Sequence, residues 1–198
     1  MNGKPFAESS EQNKQPILNV LEQLFTETGS VFEIGSGTGQ HAVFFTEQLP
    51  HLTWYPSDLA EQIPGMQLWF EEVLHDRIQQ PSPLDVASEQ WPHKNMDYAF
   101  TANTTHIISW PHVVAMFAGI GRTLKPSGLF AQYGPFNYAG QYTSESNANF
   151  DIWLKQRDPQ SGIRHFEDLQ QLAEDNGMTL HADYEMPANN RILVWRKL

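Results

Sequence analysis

The chain has 198 residues, 40% of them apolar and 12% aromatic, which suits one globular domain with a sizeable core and excludes a disordered chain. Lys plus Arg number 12 and Asp plus Glu 23, a formal charge of −11, so stable binding to a phosphate backbone would need a local basic patch. Cysteine is absent, which removes disulfide frameworks, thiolate nucleophiles and cysteine zinc sites, and no stretch approaches the roughly 18 consecutive apolar residues of a membrane span.

Residues 1–10 are polar and read as irregular, and the start, Met1-Asn2-Gly3-Lys4-Pro5, leads into no apolar run. Over 12–28, Ile17, Leu18, Leu21, Leu24 and Phe25 recur at helical spacing, with Pro16 assigned to a first turn and Gly29 as terminator. A short strand at 31–34 runs into Gly35, Gly37 and Gly39, and helical spacing resumes over 40–48. A second strand, 51–58, closes on Asp58. Residues 65–80 place Met66, Trp69, Phe70, Val73, Leu74 and Ile78 on one face of a helix.

Pro81 and Pro83 followed by Leu84-Asp85-Val86 suggest a clipped third strand. Then come a fourth strand at 96–103, a helix at 111–123, a turn at 124–128 and a fifth strand at 129–133. Two helices follow at 146–156 and 165–176, the second closed by Gly177. Strands at 178–185 and 191–196, joined by 186–190, end the chain. No repeat, low-complexity tract or linker divides it. The nearest approach to a basic cluster is Arg191, Arg196 and Lys197, on the last strand.

Strands alternating with helices predict a parallel α/β sheet with helices on both faces, and the terminal strand pair would lie antiparallel at one side. In such sheets a ligand sits at the carboxyl ends of the strands, near the point where strand order reverses. The strand-end residues are therefore the ones that matter for function.

Strand, glycine turn and helix suit a ligand lying against the backbone at the positive end of a helix. A dinucleotide fingerprint would need glycine at position 40, where the chain has Gln40, and no Lys-Ser or Lys-Thr pair follows to make a Walker loop. Glu33-x-Gly35-x-Gly37-x-Gly39 instead resembles the cofactor loop of the class I S-adenosylmethionine (SAM) methyltransferases. The resemblance implies SAM as cofactor, with Gly35, Ser36, Gly37, Thr38 and Gly39 approaching its amino-acid part and Glu33 near its ammonium end. Asp58 stands where an acidic residue accepts hydrogen bonds from ribose hydroxyls, for SAM and NAD alike. Asp85 resembles the residue that receives the adenine amino group, with the backbone of Val86 beside it. Each group ends a successive strand, as one nucleoside ligand across three strand tips requires.

Asn103-Thr104-Thr105-His106 follows the fourth strand, where this family places residues facing both methyl group and acceptor; Asn103 counts with the cofactor residues. The Asn/Asp-Pro-Pro-aromatic string of many amino-group methyltransferases is missing, which counts against those substrates. His106 is the candidate base, because imidazole titrates near neutral pH. The 132–138 segment should wall an acceptor pocket. Tyr133 is a second catalytic candidate, Phe136 and Tyr142 offer aromatic lining with Tyr138, and Asn137, Asn147 and Asn189 offer neutral hydrogen bonding. Trp153 reads as core. The other histidines lack metal-ligand spacing, so no metal site is expected.

Further strings tighten the resemblance: Lys4-Pro5-Phe6-Ala7, Glu11-x-Asn13-Lys14-x-Pro16, Gly134-Pro135-Phe136, Arg157-Asp158-Pro159, Gly162-Ile163-Arg164 and Met186-Pro187-Ala188-Asn189-Asn190. These are similar, over nearly the whole chain, to a small methyltransferase-like family named domain of unknown function 938, and they add Asn13 and Lys14 to the residues of interest. The resulting expectation is a Rossmann-like seven-stranded methyltransferase sheet. Residues 1–28 form an extension and helix, 29–133 the cofactor-binding units, and 134–198 the acceptor-side helices and strand pair. The function expected is SAM-dependent methylation of an uncharged or aromatic small molecule in the cytoplasm, with neither nucleic acid nor membrane as partner and a homodimer left open. A nicotinamide-dependent oxidoreductase and a non-enzymatic SAM-fold binding protein are the alternatives.

Overall fold

The computed structural model describes residues 3–198; of the irregular start expected over 1–10, Met1 and Asn2 lie outside the described residues and residues 8–10 are helical. The elements run α1 (Glu8–Leu24), β1 (Gly29–Ile34), α2 (Gln40–Gln48), β2 (Leu52–Asp58), α3 (Ile63–Phe70), β3 (Ser82–Pro83), β4 (Met96–Ala102), α4 (Trp110–Thr123) and β5 (Leu124–Gly134). They continue with β6 (Phe136–Asn137), α5 (Glu145–Arg157), β7 (Arg164–His165), α6 (Phe166–Asp175), β8 (Met178–Met186) and β9 (Asn190–Lys197). Seven strands form one sheet in the order β3-β2-β1-β4-β5-β9-β8. Pairing is parallel from β3 to β5 and antiparallel for β5 with β9 and β9 with β8.

The two-residue alternation of strands sorts the core into two layers. Val31, Tyr98, Phe100, Ala131, Ile192 and Val194 face α1 and α2, where Ile17, Leu21 and Phe45 cover them. Phe32, Ile34, Ala99, Phe130, Leu193 and Trp195 face α4 and α6, where Phe117, Ile120 and Leu169 cover them. The central strands β1, β4 and β5 are thus buried on both sides over most of their length, which is why Val31–Ile34 and Leu129–Tyr133 read as near-continuous apolar runs.

Several elements depart from the sequence expectation. Helix α1 starts at Glu8 and ends at Leu24, so Pro16 stands in its interior and removes one internal hydrogen bond. Acidic Glu8 and Glu11 in its first turn favour the early start through the helix dipole. The 65–80 helix stops at Phe70, and Leu74 is fully exposed. The chain beyond α3 instead serves the sheet edge: the Trp54 N–H donates to the Arg77 carbonyl at 2.7 Å, and the Gln79 N–H donates to the Trp54 carbonyl at 2.8 Å. Open edge groups of β2 need partners more than the stripe needs a helix.

Proline, lacking an N–H, shortens β3 to Ser82–Pro83, so Asp85 falls just beyond the strand. The 124–128 turn lies inside β5 as a bulge, where Leu124 pairs with Met96 and Leu129 with Tyr98. A separate two-stranded pairing of Phe136–Asn137 with Arg164–His165 carried no sequence signal. No helix among the described residues is long and apolar enough to cross a membrane.

A Cβ placed at Gly119 in α4 would lie 1.9 Å from Trp91 Cζ2. Alanine normally gains up to ~1 kcal/mol over glycine inside a helix, but displacing the indole should cost ~1–3 kcal/mol. Gly119→Ala is therefore expected to lower the thermal midpoint by a few degrees; a higher midpoint would contradict the packing.

Candidate functional site

The carboxyl ends of β1, β2 and β4 open on a cleft of about 640 Å³. Gly35, Ser36, Gly37 and Thr38 line it from the loop after β1, Asp58 and Leu59 from β2, Asp85 and Val86 from the segment after β3, and Asn103 and Thr104 from the loop after β4. Most of the expected cofactor residues therefore converge on one space. Gly35, Gly37 and Gly39 all have positive φ, at 72°, 57° and 86°. Their surroundings differ. A Cβ at Gly35 would strike Thr104 Oγ1 at 2.6 Å, whereas one at Gly37 would meet nothing within 4 Å. Gly39 does not line the cleft; a Cβ there would press on Met66 and Phe70 of α3 at 2.8 and 2.9 Å, so its glycine serves helix packing.

The loop is held from β2. Gly35 and Ser36 each donate a backbone N–H to the Ser57 carbonyl at 3.0 Å, and Gly37 donates to Asp58 Oδ2 at 2.7 Å. Asp58 Oδ1 accepts from its neighbour Leu59 at 2.7 Å. Burial raises the Asp58 pKa, while the Gly37 and Leu59 N–H groups pull it back. Asp85 is exposed, with Oδ1 accepting from the Ala87 N–H at 2.9 Å and His112 Nε2 4.0 Å away.

Glu33 departs from its expected place. Strand alternation turns its side chain toward the α1/α2 layer, where it is 1% exposed and accepts from Trp54 Nε1 at 2.9 Å. It lies beneath the loop and not on the cleft wall.

A second cavity of about 480 Å³ adjoins the first, and Ser9 and Asn103 line both. Asn13, Tyr133, Pro135, Asn147 and Phe150 are among its other walls. Asn147 donates to Thr143 Oγ1 at 2.9 Å and to the Asn189 carbonyl at 3.0 Å. The Asn189 side chain is occupied by Ser146 Oγ at 3.1 Å, and the wall there is made by Pro187, Ala188 and Asn190.

Other acceptor candidates lie elsewhere. Phe136 is 1% exposed in the α4/α6 core. Asn137 is buried outside both cavities with Oδ1 unpartnered, and Tyr142 points its hydroxyl to Asp151 Oδ2 at 2.6 Å. Trp153, expected as core, is 47% exposed and stacks on Phe150.

His106 also lines neither cavity. It packs against Phe150 with ring centroids 5.4 Å apart, and burial, aided by the Arg164 charge, pushes its pKa down to about 4. Arg164 shapes this loop by donating to the Thr105, Ile108 and Gln160 carbonyls at 3.2, 2.6 and 2.9 Å. His106 thus stands apart from both cavities, which departs from the expectation of a base facing the acceptor.

Sequence reading missed the first turn of α1, which lays Ala7, Ser9 and Ser10 along the cleft. The Ala7 N–H donates to Gln40 Oε1 at 2.6 Å, which gives the residue that breaks the dinucleotide pattern a role in holding the N-terminal segment. His41, Ile107 and His112 also line the cleft and were not anticipated. Only the resemblance of the Glu11-x-Asn13-Lys14 string had pointed at α1.

A glycine loop after β1, acidic residues after β2 and β3, and an antiparallel β9 beside β5 define a class I methyltransferase fold. Solved structures of this class match over nearly the whole chain. The mitomycin 7-O-methyltransferase MmcR has a TM-score of 0.82 at 16% identity, with 96% of this chain and 54% of that one covered. An O-methyltransferase family protein from Burkholderia thailandensis has 0.83 at 13%, covering 96% and 57%. CalO1, a methyltransferase of calicheamicin biosynthesis in its SAH-bound form, has 0.77 at 17%, covering 96% and 55%. The chain thus spans about half the length of these proteins. The sequence model of the family described as protein of unknown function (DUF938) matches residues 4–197, and the chain belongs to that family.

Burial pushes the Glu33 carboxyl from 4.5 up to about 7, with Trp54 and Ser36 pulling it back and Asp58 adding to the rise. The folded state binds this proton more tightly than the unfolded state. Its stabilising contribution is full below about 4.5 and is lost as pH rises through about 7, on the order of 3 kcal/mol in all. Glu33→Gln keeps an oxygen for the indole and should remove this slope. Urea unfolding between about pH 5 and 8 should show the wild type losing stability relative to the variant as pH rises; parallel curves would contradict the assignment.

Proposed function

We propose that the protein is a SAM-dependent methyltransferase acting on an oxygen of a small-molecule acceptor. The observation that carries this reading is the junction of two cavities at Ser9 and Asn103, a cleft with nucleoside-binding features on one side and a separate pocket on the other. The solved relatives named above supply the preference for oxygen, since two are described as O-methyltransferases.

The cleft fits the cofactor by its own chemistry. Its volume lies in the usual range of ligand sites, about 300–1,000 Å³. Gly37 leaves the loop open where a side chain would intrude. Among the described residues Asp58, Asp85 and Asp158 line the cleft and no Lys or Arg does, so the walls suit a cationic ligand. A dinucleotide would bring its pyrophosphate among carboxylates without a basic partner, which disfavours the oxidoreductase alternative.

Asp58 would hold the ribose hydroxyls with the lone pairs left by Gly37 and Leu59, Val86 and Leu84 would flank the adenine, and the 35–38 backbone would bound the amino-acid part. The cofactor supplies a methyl group already activated on a sulfonium. The protein's contribution is alignment, because holding a nucleophile in line can account for several kcal/mol without a strong base. Ser9 and Asn103 line both cavities. Ala7, Ser9 and Ser10 add the start of α1 to the cleft wall.

Calorimetry should show S-adenosylhomocysteine binding and NAD not binding. Asp58→Ala should weaken S-adenosylhomocysteine by about tenfold or more, as expected when a charged hydrogen-bonding partner is removed. NAD binding more tightly, or affinity unchanged in the variant, would overturn the reading.

A further inference from the structure

The second cavity is unusual in a chain with a net charge of −11, because none of the described residues on its wall is charged. Its polar groups are the amides of Gln12, Asn13, Asn103, Asn147 and Asn190, two serine hydroxyls and the Tyr133 phenol, set among Phe150 and three prolines. Lys14, the cation of α1, is paired with Glu11, lies over the Phe44 ring and is not part of the cavity wall. A carboxylate or ammonium entering here would be desolvated without an opposite charge, which is costly. A hydroxyl carries one donor and two lone pairs, matching amides that offer both.

Pro16 adds to this. With no N–H of its own, it leaves the Gln12 carbonyl without the usual helical donor four residues on, and both residues line the cavity. A proline in mid-helix is costly for the fold, and here it frees a backbone acceptor beside the pocket.

A polar chain links the two cavities. His41, on the cofactor cleft, places Nε2 2.7 Å from Asn13 Oδ1. Asn13 and Tyr133 share the wall of the second cavity, where burial raises the phenol's pKa and Asn13 draws it back down. His41 stacks on Phe45 at 5.3 Å and meets the Phe100 edge at 6.1 Å, so its ring cannot turn freely. Burial pushes its pKa down to about 4 and keeps it neutral, with one nitrogen donating and one accepting. The Asn13 amide also carries one donating and one accepting end. The tautomer of His41 therefore sets which way Asn13 faces, and through it the hydrogen-bond direction left to Tyr133.

We propose that the second cavity takes a neutral, hydroxyl-bearing small molecule anchored on the Tyr133 hydroxyl, with Asn13 and His41 as the positioning residues that orient that anchor. This deepens the methyltransferase reading and rests on it.

The test uses the full chain saturated with S-adenosylhomocysteine at about pH 7. Ligand-observed NMR measures the affinity of catechol and benzyl alcohol against their charged counterparts 3,4-dihydroxybenzoate and benzylamine. The uncharged pair should bind about tenfold more tightly than the charged pair. Tyr133→Phe and Asn13→Leu should each weaken the uncharged pair by about fivefold, the loss of one hydrogen bond. The double variant should be no weaker than the worse single, because the two residues act as one unit. A purely structural role for Asn13 would lower the thermal midpoint without that coupling.

Charged compounds binding as well as uncharged ones, no binding by either pair, or additive losses in the double variant would overturn the proposal. If a variant fails to fold, the wild-type comparison still decides the charge preference. Failure of S-adenosylhomocysteine itself to bind, seen before any compound is added, would remove the cofactor reading and this proposal with it.

Discussion

The parallel pairing of β1 with β2 on one side and β4 on the other is the constraint from which the rest of the molecule follows. Connections leaving β1 and β4 run to opposite edges of the sheet, so a crevice remains at their carboxyl ends that no crossover helix can fill. The chain keeps that crevice open with backbone in place of side chains. Gly35 and Ser36 hang from the Ser57 carbonyl and Gly37 from the Asp58 carboxylate, so the tip of β2 sets the shape of the loop after β1. Asp58 thereby serves the fold and the cleft at once, and each of its oxygens retains a lone pair for a ligand.

The alternation of the central strands distributes chemistry between the two faces as well as core residues. Glu33 and Tyr133 both point toward the layer covered by α1 and α2, the first beneath the glycine loop and the second at the end of β5. Helices α1 and α2 bring Asn13 and His41 to that same layer, where hydrogen bonding makes their burial tolerable. The wall between the two cavities is consequently built from the ends of the core and not from a mobile surface loop. Such a support suits a site whose contribution is alignment.

The other face illustrates how a polar motif can be absorbed by structure. The loop after β4 carries Thr104, Thr105 and His106, and its carbonyls are gathered by Arg164 from far along the chain. Gly162 completes the arrangement by donating to the His106 carbonyl at 2.9 Å. With its carbonyls satisfied the loop packs inward, and His106 ends as a neutral ring against Phe150. Sequence position alone suggested a catalytic base there. The Arg164 hydrogen bonds, formed across more than fifty residues, decided otherwise.

The sequence by itself determined what depends on neighbours along the chain. The order of strands and helices, the glycine turn after β1 and the acidic residues Asp58 and Asp85 near strand ends follow from local periodicity and turn chemistry. Tertiary structure alone decided which of these groups meet. It shortened the helix after Asp58 because the edge of β2 needed hydrogen-bond partners, and it paired Phe136–Asn137 with Arg164–His165 across the chain. It also drew the first turn of α1 over the cleft, sank Glu33 beneath the loop and joined the two cavities at Ser9 and Asn103. Each of these depends on burial and on hydrogen bonds between segments distant in sequence, which no local pattern encodes.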